Sequence, residues 1–280
     1  MIKLLIISDD FTGALDTGVK FSAAGARTRV STDTQIDFRQ EIAEEVLVLC
    51  APTRHLPPRE AYDMIRSIAQ RAVAAHIGCV YKKTDSALRG NIGAELSAVL
   101  DGSGEKCLSF IPALPGMNRI TVDGVHYIDG VPVDQSVFGQ DPFEPVTESR
   151  VPDLLHLQCD VPVKVISPEE LDSFRPGEEK CIYLFDCASR EDMEREAQRL
   201  YLLGCLKLLA GCAGLAESLP GYLGLRMGEK PQCRIEANRL VVLCGSVNPI
   251  SCSQMDYGEQ RGYRRVHIPA DRLLSGGKFN

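Results

Sequence analysis

Short strand-like segments punctuate the first third of the chain, at 4–8, 28–31, 46–50, 79–83 and 107–111. Most are continuous rather than alternating, the pattern of strands covered on both faces. Helical spacing fills the gaps. Between 58 and 76, Ala61, Ile65, Ile68 and Ala72 recur at three- and four-residue steps and define one apolar face. Asn91 stands where it would cap a helix running through Glu95 and Leu100. This alternation predicts an α/β protein with a mostly parallel sheet wrapped by helices. From 112 to 152 the pattern gives way to an irregular stretch holding Pro112, Pro115, Pro132, Pro142 and Pro145. Loops of that length usually carry function or link domains. Inside it, 125–128 and 131–133 flank Asp129-Gly130, a hairpin signal. Strand patterns resume at 163–166, 182–185, 206–209, 240–244 and 263–268, with helices expected at 190–203 and 214–225. The segment 232–237 reads as a crossover between domains. The chain ends a few residues after 263–268, so the α/β pattern reads as interrupted rather than closed.

Length and composition narrow the class. A chain of 280 residues fits about two domains. With 44% apolar and 25% charged residues it is a folded protein, and no apolar run approaches the roughly 18 residues of a membrane span. The run from Met1 to Ile7 stops at Asp9-Asp10, which suits a buried first strand better than a secretory signal. A net charge of −7 argues against sequence-independent nucleic-acid binding, which needs a basic face. It leaves room for an anionic substrate in a local positive pocket. Eleven cysteines without a C-x-x-C pair read as buried thiols of a cytoplasmic protein. No His/Cys cluster has metal-ligand spacing, so zinc is not expected and no residue is assigned as a metal ligand.

Four constellations could carry chemistry. The first, Ser8-Asp9-Asp10-Phe11-Thr12-Gly13-Ala14, sits where strand one should end and a helix begin, the edge at which open α/β sheets bind ligands. Its two carboxylates can accept hydrogen bonds from sugar hydroxyls or hold a metal, and one could act as a general base. The plain alternative is a helix cap at Asp10 or Thr12 beside a solvated Asp9. The second, Lys82-Lys83-Thr84-Asp85-Ser86-Ala87-Leu88-Arg89-Gly90-Asn91, again follows a strand and precedes a helix. Two lysines and an arginine near a helix start form an anion site, and arginine grips carboxylates with paired hydrogen bonds. A solvated basic turn is the alternative. The third runs from Pro112 to Tyr127; Arg119 could add a positive contact, and His126 reads as structural because no nucleophile signature accompanies it. The fourth comprises Ala210 to Ala216, with Gly214, and Leu243 to Ser251, with Gly245, Ser246 and Ser251. Glycine and serine at a strand-to-helix turn let backbone amides approach phosphate. No Walker or dinucleotide glycine fingerprint is present.

Together these blocks resemble the four-carbon acid sugar kinase family, whose members phosphorylate threonate, erythronate or 3-oxo-tetronate with ATP. The most specific match is Lys83-x-Asp85-Ser86-x-Leu88-Arg89-Gly90-Asn91, followed by Asp9-Asp10-x-Thr12-Gly13-Ala14. Arg119-x-Thr121-x-x-Gly124-x-x-Tyr127, Asp141-Pro142 and Gly214-Leu215-Ala216 also fit. The resemblance implies two α/β domains with mostly parallel sheets and a cleft between them. Residues 1–235 would be the acid-sugar domain, and 236–280 the start of a nucleotide domain lacking its C-terminal end. It assigns Asp10, Asp85 and Arg89 to catalysis. Asp9, Asp10, Lys83, Asp85, Ser86, Arg89 and Arg119 would bind substrate. Gly214, Gly245, Ser246 and Ser251 would hold ATP, with Mg²⁺ bridging its phosphates. The expected partner is a small sugar acid, with neither nucleic acid nor membrane, and a homodimer is left open. Ala87 departs from the family's Thr or Ser, and Asn248 and Ser251 replace family hydroxyls in the later Gly-Ser turn. Two other readings stay open: an acid-sugar-binding protein without turnover, and an NAD-dependent dehydrogenase on a similar sheet.

Overall fold

The computed structural model describes residues 1–40, 43–229, 239–246 and 249–269. The crossover expected at 232–237 and the chain end after 269 lie outside the described residues. The chain divides into two compact units, Met1–Pro231 and Gln232–Asn280.

The first unit is built on an eight-stranded parallel sheet. Its strands are β1 (Leu4–Ser8), β2 (Thr28–Ser31), β3 (Val46–Cys50), β4 (Cys79–Lys83), β5 (Cys107–Ile111), β9 (Val163–Ile166), β10 (Cys181–Phe185) and β11 (Leu208–Gly211), in the order β2-β3-β1-β4-β11-β5-β10-β9. The continuous apolar runs are explained by the layers. Alternate residues of each strand enter two separate cores. Leu5, Ile7, Leu47 and Leu49 pack under α2 (Pro58–Ala74), α3 (Ile92–Ser103) and α4 (Val151–His156). Leu4, Ile6, Val46 and Val48 pack under α1 (Phe11–Ala23), α5 (Arg190–Leu202) and α6 (Ala213–Ser218).

This layering positions a crevice. In register, Ser8 of β1 lies beside Cys50 of β3 and Lys83 of β4. The chain leaving β1 turns to the α1 face, whereas the chains leaving β3 and β4 turn to the α2 and α3 face. Neighbouring strands whose connections part to opposite faces leave an opening at their carboxyl ends.

The stretch expected to be irregular is partly a second sheet. Strands β6 (Arg119–Val122), β7 (Val125–Ile128) and β8 (Val131–Pro132) form an antiparallel meander. The Asp129-Gly130 turn has φ of 51° and 79°, as a two-residue hairpin with two left-handed positions requires. β6 had no strand signal of its own; it pairs with β7 and is bridged from Thr121 to Cys187, just beyond the end of β10. Four local expectations need correction. The strand at 206–209 forms two residues later, as β11. The helix expected at 214–225 is only α6, ended before Pro220, whose ring cannot continue a helix. Among the described residues, 239–246 and 261–269 carry no strand. Leu240, Val241, Val242 and Leu243 are 61% to 89% exposed, and an apolar run without a neighbouring strand has no ladder to join. The second unit shows one described helix, α7 (Pro249–Gln260).

Candidate active site

Three adjacent strand ends supply the polar side chains. After β1, Asp10 takes extended backbone and accepts the Gly13 amide at 2.8 Å, so it does cap α1. Asp9, expected to be solvated if the cap were the whole story, is buried instead, with Oδ2 on Arg54 Nε at 2.7 Å. Its Oδ1 is buried without a hydrogen-bond partner among the described residues. Gly13 is required at its place. A Cβ there would lie 2.5 Å from Asp10 Oδ1, 2.7 Å from Lys83 Nζ and 3.0 Å from Ser8 Oγ. The glycine thus lets an acid, an ammonium and a hydroxyl converge.

After β4 the chain makes a tight excursion before α3. Leu88 sits at φ 63° and Gly90 at φ 88°. Leucine in this left-handed region is strained, a cost of about 1–3 kcal/mol. Burial of Leu88 in the core and the hydrogen bond from its amide to Asp85 O hold it there. The turn presents Asp85 to Arg89 as a fork: Nε to Oδ2 at 2.8 Å and Nη2 to Oδ1 at 3.2 Å. Arg89 Nη1 also reaches Asp141 Oδ2 at 3.1 Å. Burial alone would push the Asp85 carboxyl up. The Arg89 hydrogen bonds and the charges of Arg54, Arg89 and Lys83 outweigh it and bring the pKa to about 2. Asp85 is therefore an anion at any working pH.

The residue that joins the two turns is Arg54, which follows β3 and was not among the expected site residues. Its guanidinium lies 2.7 Å from Asp9, 3.1 Å from Asp10 and 3.7 Å from Asp85. Burial disfavours its charge, but these three carboxylates outweigh it and raise its pKa. Asp10, Arg54, Asp85 and Arg89 thus form one continuous chain of ion pairs. The signal that could have found Arg54 is positional: Thr53-Arg54 follows a third apolar strand, just as Asp9-Asp10 and Thr84-Asp85 follow theirs.

Asn91 does not cap α3 with its side chain, contrary to expectation. Its amide instead donates to Thr53 O at 2.9 Å and Leu56 O at 2.8 Å, clamping the loop that carries Arg54. Beneath this loop Thr53 Oγ1 donates to Glu95, which pairs with Lys82 at 2.8 Å; both charged side chains are fully buried. Such a pair is retained because breaking it would strand a charge in the core.

The small sheet closes one side. Arg119 of β6 donates to Ser86 Oγ, and Arg89 and Arg119 both stack on Phe138, at 5.1 Å and 5.2 Å from its ring centre. His126 of β7 is buried, with Nε2 3.0 Å from Ser86 O and Nδ1 3.1 Å from Thr121 Oγ1. Burial, helped by the charge of Arg119 and opposed by Ser86 O, lowers its pKa to about 4. The neutral ring then donates from Nε2 and accepts at Nδ1. Ala87, the departure from the family pattern, packs in an apolar cluster with Ile128, Val133 and Val146.

The structure therefore gathers Asp9, Asp10, Lys83, Asp85, Ser86, Arg89 and Arg119 around one edge. Gly214 lies in the same unit. A Cβ on it would meet Ala113 O at 2.6 Å, and its amide faces Cys212 Sγ at 3.4 Å. Gly245, Ser246 and Ser251 belong to the second unit. Gly245 lies in irregular backbone with open space about it, and Ser251 is half-buried in α7; Asn248 lies outside the described residues. Among the described residues, no helix is long and apolar enough to cross a membrane.

Known proteins share this framework. The chain is 30% identical over 98% of its length to D-threonate kinase of Salmonella typhimurium, and 28% identical over 91% to D-erythronate kinase of Heliobacterium modesticaldum. It spans 65% and 60% of the length of these two relatives. A domain of unknown function from Bordetella bronchiseptica, crystallised as a domain-swapped dimer with bound citrate, superposes with a TM-score of 0.68 at 30% identity, over 78% of this chain and 55% of its own. The profile of the sugar-binding N-terminal domain matches residues 4–219, the segment that builds the large sheet and the ion-pair chain. With that match covering most of its length, the chain belongs to the four-carbon acid sugar kinase family, through that family's sugar-binding N-terminal domain.

Proposed function

We propose that this chain binds a four-carbon sugar acid (threonate, erythronate or the 3-oxo form) at the carboxyl edge of β1, β3 and β4. In the whole protein a terminal hydroxyl of that acid is phosphorylated by ATP. The observation that carries the reading is the unbroken chain from Asp10 through Arg54 and Asp85 to Arg89, which offers hydroxyl acceptors and cations side by side. Phosphoryl transfer depends on positioning and on neutralising charge, which suits such a framework. Asp10 is the proton acceptor. Its side chain is 28% exposed, against 2% for Asp9 and 10% for Asp85, and Asp85 is held too acidic to take a proton. Asp85 and Arg89 orient the bound acid, and Lys83, Ser86, Arg119 and Asp9 complete its binding.

The residues expected to hold ATP and Mg²⁺ are a different matter. Gly214 is packed against backbone and its amide is engaged, which does not fit a phosphate cradle. Asp9, Asp10 and Asp85 are each taken by a guanidinium, which does not fit a magnesium donor set. Gly245, Ser246 and Ser251 remain the proposed nucleotide contacts of a C-terminal domain beginning near 236. The same observation favours a second reading, an acid-sugar-binding unit without turnover of its own. A cytoplasmic protein acting on a small molecule, with neither nucleic acid nor membrane as partner, accords with either. A homodimer is supported by the assembly of the Bordetella relative.

Calorimetric titration with D-threonate and D-erythronate tests the shared site. The chain should bind one of them, and Asp10→Asn and Arg89→Ala should each weaken that binding at least tenfold. Unchanged affinity in both variants overturns the site. ADP release in the presence of the bound acid separates the kinase from the binding unit.

A further inference from the structure

The cations of the site are not equivalent. Arg54 is spent on Asp9, Asp10 and Asp85, and Arg89 on Asp85 and Asp141. A substrate carboxylate arriving at either would have to displace a protein carboxylate. That exchanges one ion pair for another and leaves the displaced acid desolvated, an unfavourable trade in a part-buried site. It would also enter beside several fixed negative charges. Lys83 is buried, with Nζ donating to Thr84 O at 2.8 Å and crowded by Ser8 and Asp10 about Gly13. That neighbourhood suits a hydroxyl.

Arg119 differs on each count. Among the described residues it carries no ion pair. It is half-buried, stacked on Phe138, and anchored by one donor, Nη1, to Ser86 Oγ. A guanidinium has five N–H donors, and its planar fork matches a carboxylate. The anchor is itself held: neutral His126 donates to Ser86 O, and Thr121 fixes the His126 ring. Arg119 is thus a pre-oriented, partly desolvated cation that an anion can engage without displacing another.

We propose that Arg119 is the carboxylate anchor of the sugar-acid site and so decides acid against neutral polyol. This rests on the reading of the site as an acid-sugar site, and it also sets the substrate's direction. The carboxylate lies at the Arg119–Ser86 end and the terminal hydroxyl at the Asp10–Lys83 end.

The test compares a bound acid with its uncharged primary amide, D-threonate with D-threonamide and likewise for erythronate, titrated into the full chain. Wild type should bind the acid at least thirtyfold more tightly than the amide. In Arg119→Gln that preference should collapse to within threefold, through a loss of acid affinity much larger than any loss of amide affinity. Arg119→Lys should recover part of it, since it restores charge without the fork. Ser86→Ala, which removes the anchor but keeps the cation, should cost several-fold in acid affinity alone. An acid preference retained in Arg119→Gln, or one abolished by Arg89→Gln instead, overturns the assignment of Arg119 while leaving the site intact. Wild type that binds neither ligand overturns the acid-sugar reading itself, and the anchor with it.

Discussion

His126 shows how a single side chain can be legible in type and hidden in role. Its isolation from any nucleophile marks it as structural. Its neutrality, which lets it hold Ser86 O, comes only from burial. The ordinary pKa of 6.5 falls to about 4 in the fold. Between those values the unfolded chain binds a proton that the folded chain refuses, so stability present above pH 6.5 is lost as pH falls through about 4. The full effect is about 3 kcal/mol. Urea unfolding of wild type and His126→Gln should therefore show a wild-type advantage that shrinks between pH 7.5 and 4.5. An advantage that is constant over that range contradicts the assigned protonation. Arg54 is the opposite case. Its only mark in the sequence is its place after a third apolar strand, because each of its acidic partners lies at least 31 residues away.

Secondary structure was legible wherever one element makes its own pattern. The five strands before residue 112 and helix α2 stand where the apolar runs and the three-four spacing put them. Besides the shifted β11 and the shortened α6, the misses are elements whose existence depends on a partner. β6 forms because β7 and Cys187 receive it. The apolar run at 240–243 reads as a strand, but exposed residues without a neighbour do not make one. Close approach of elements leaves its own mark in small residues. Gly102 lets α3 touch α2: a Cβ there would lie 2.6 Å from Arg66 O and 2.7 Å from Ala69 Cβ. Gly102→Val should lower stability by about 1–3 kcal/mol through overpacking. Sugar-acid affinity should stay within threefold, because Gly102 lies at the end of α3 remote from the 84–91 turn. Denaturant titration and calorimetry on the same variant check both halves of that expectation.

The molecule as a whole places its candidate sugar-acid site in one of its two units. All eight strands of the large sheet, the meander and the ion-pair chain belong to Met1–Pro231. A chain ended after residue 229 should unfold cooperatively and bind the sugar acid within threefold of the full chain. Non-cooperative unfolding, or lost binding in a folded truncation, would show that the second unit supports the site. The net charge of −7 is likewise a property of the whole that misleads locally, since four cations, Arg54, Lys83, Arg89 and Arg119, meet at one edge. Ion pairing with the facing aspartates makes that concentration of charge tolerable.

The amino-acid sequence by itself determined the alternation of strand and helix, the coverage of the sheet on both faces, and the residue types at two of the three strand ends. These are local or periodic properties, written in runs of neighbouring residues. Only the tertiary structure decided which strand ends are adjacent, that Arg54 ties Asp9, Asp10 and Asp85 together, and that Arg119 is left without an acidic partner among the described residues. Those facts follow from strand order and from the faces to which connections turn, and they exist only when residues far apart in the chain are brought within a few ångströms.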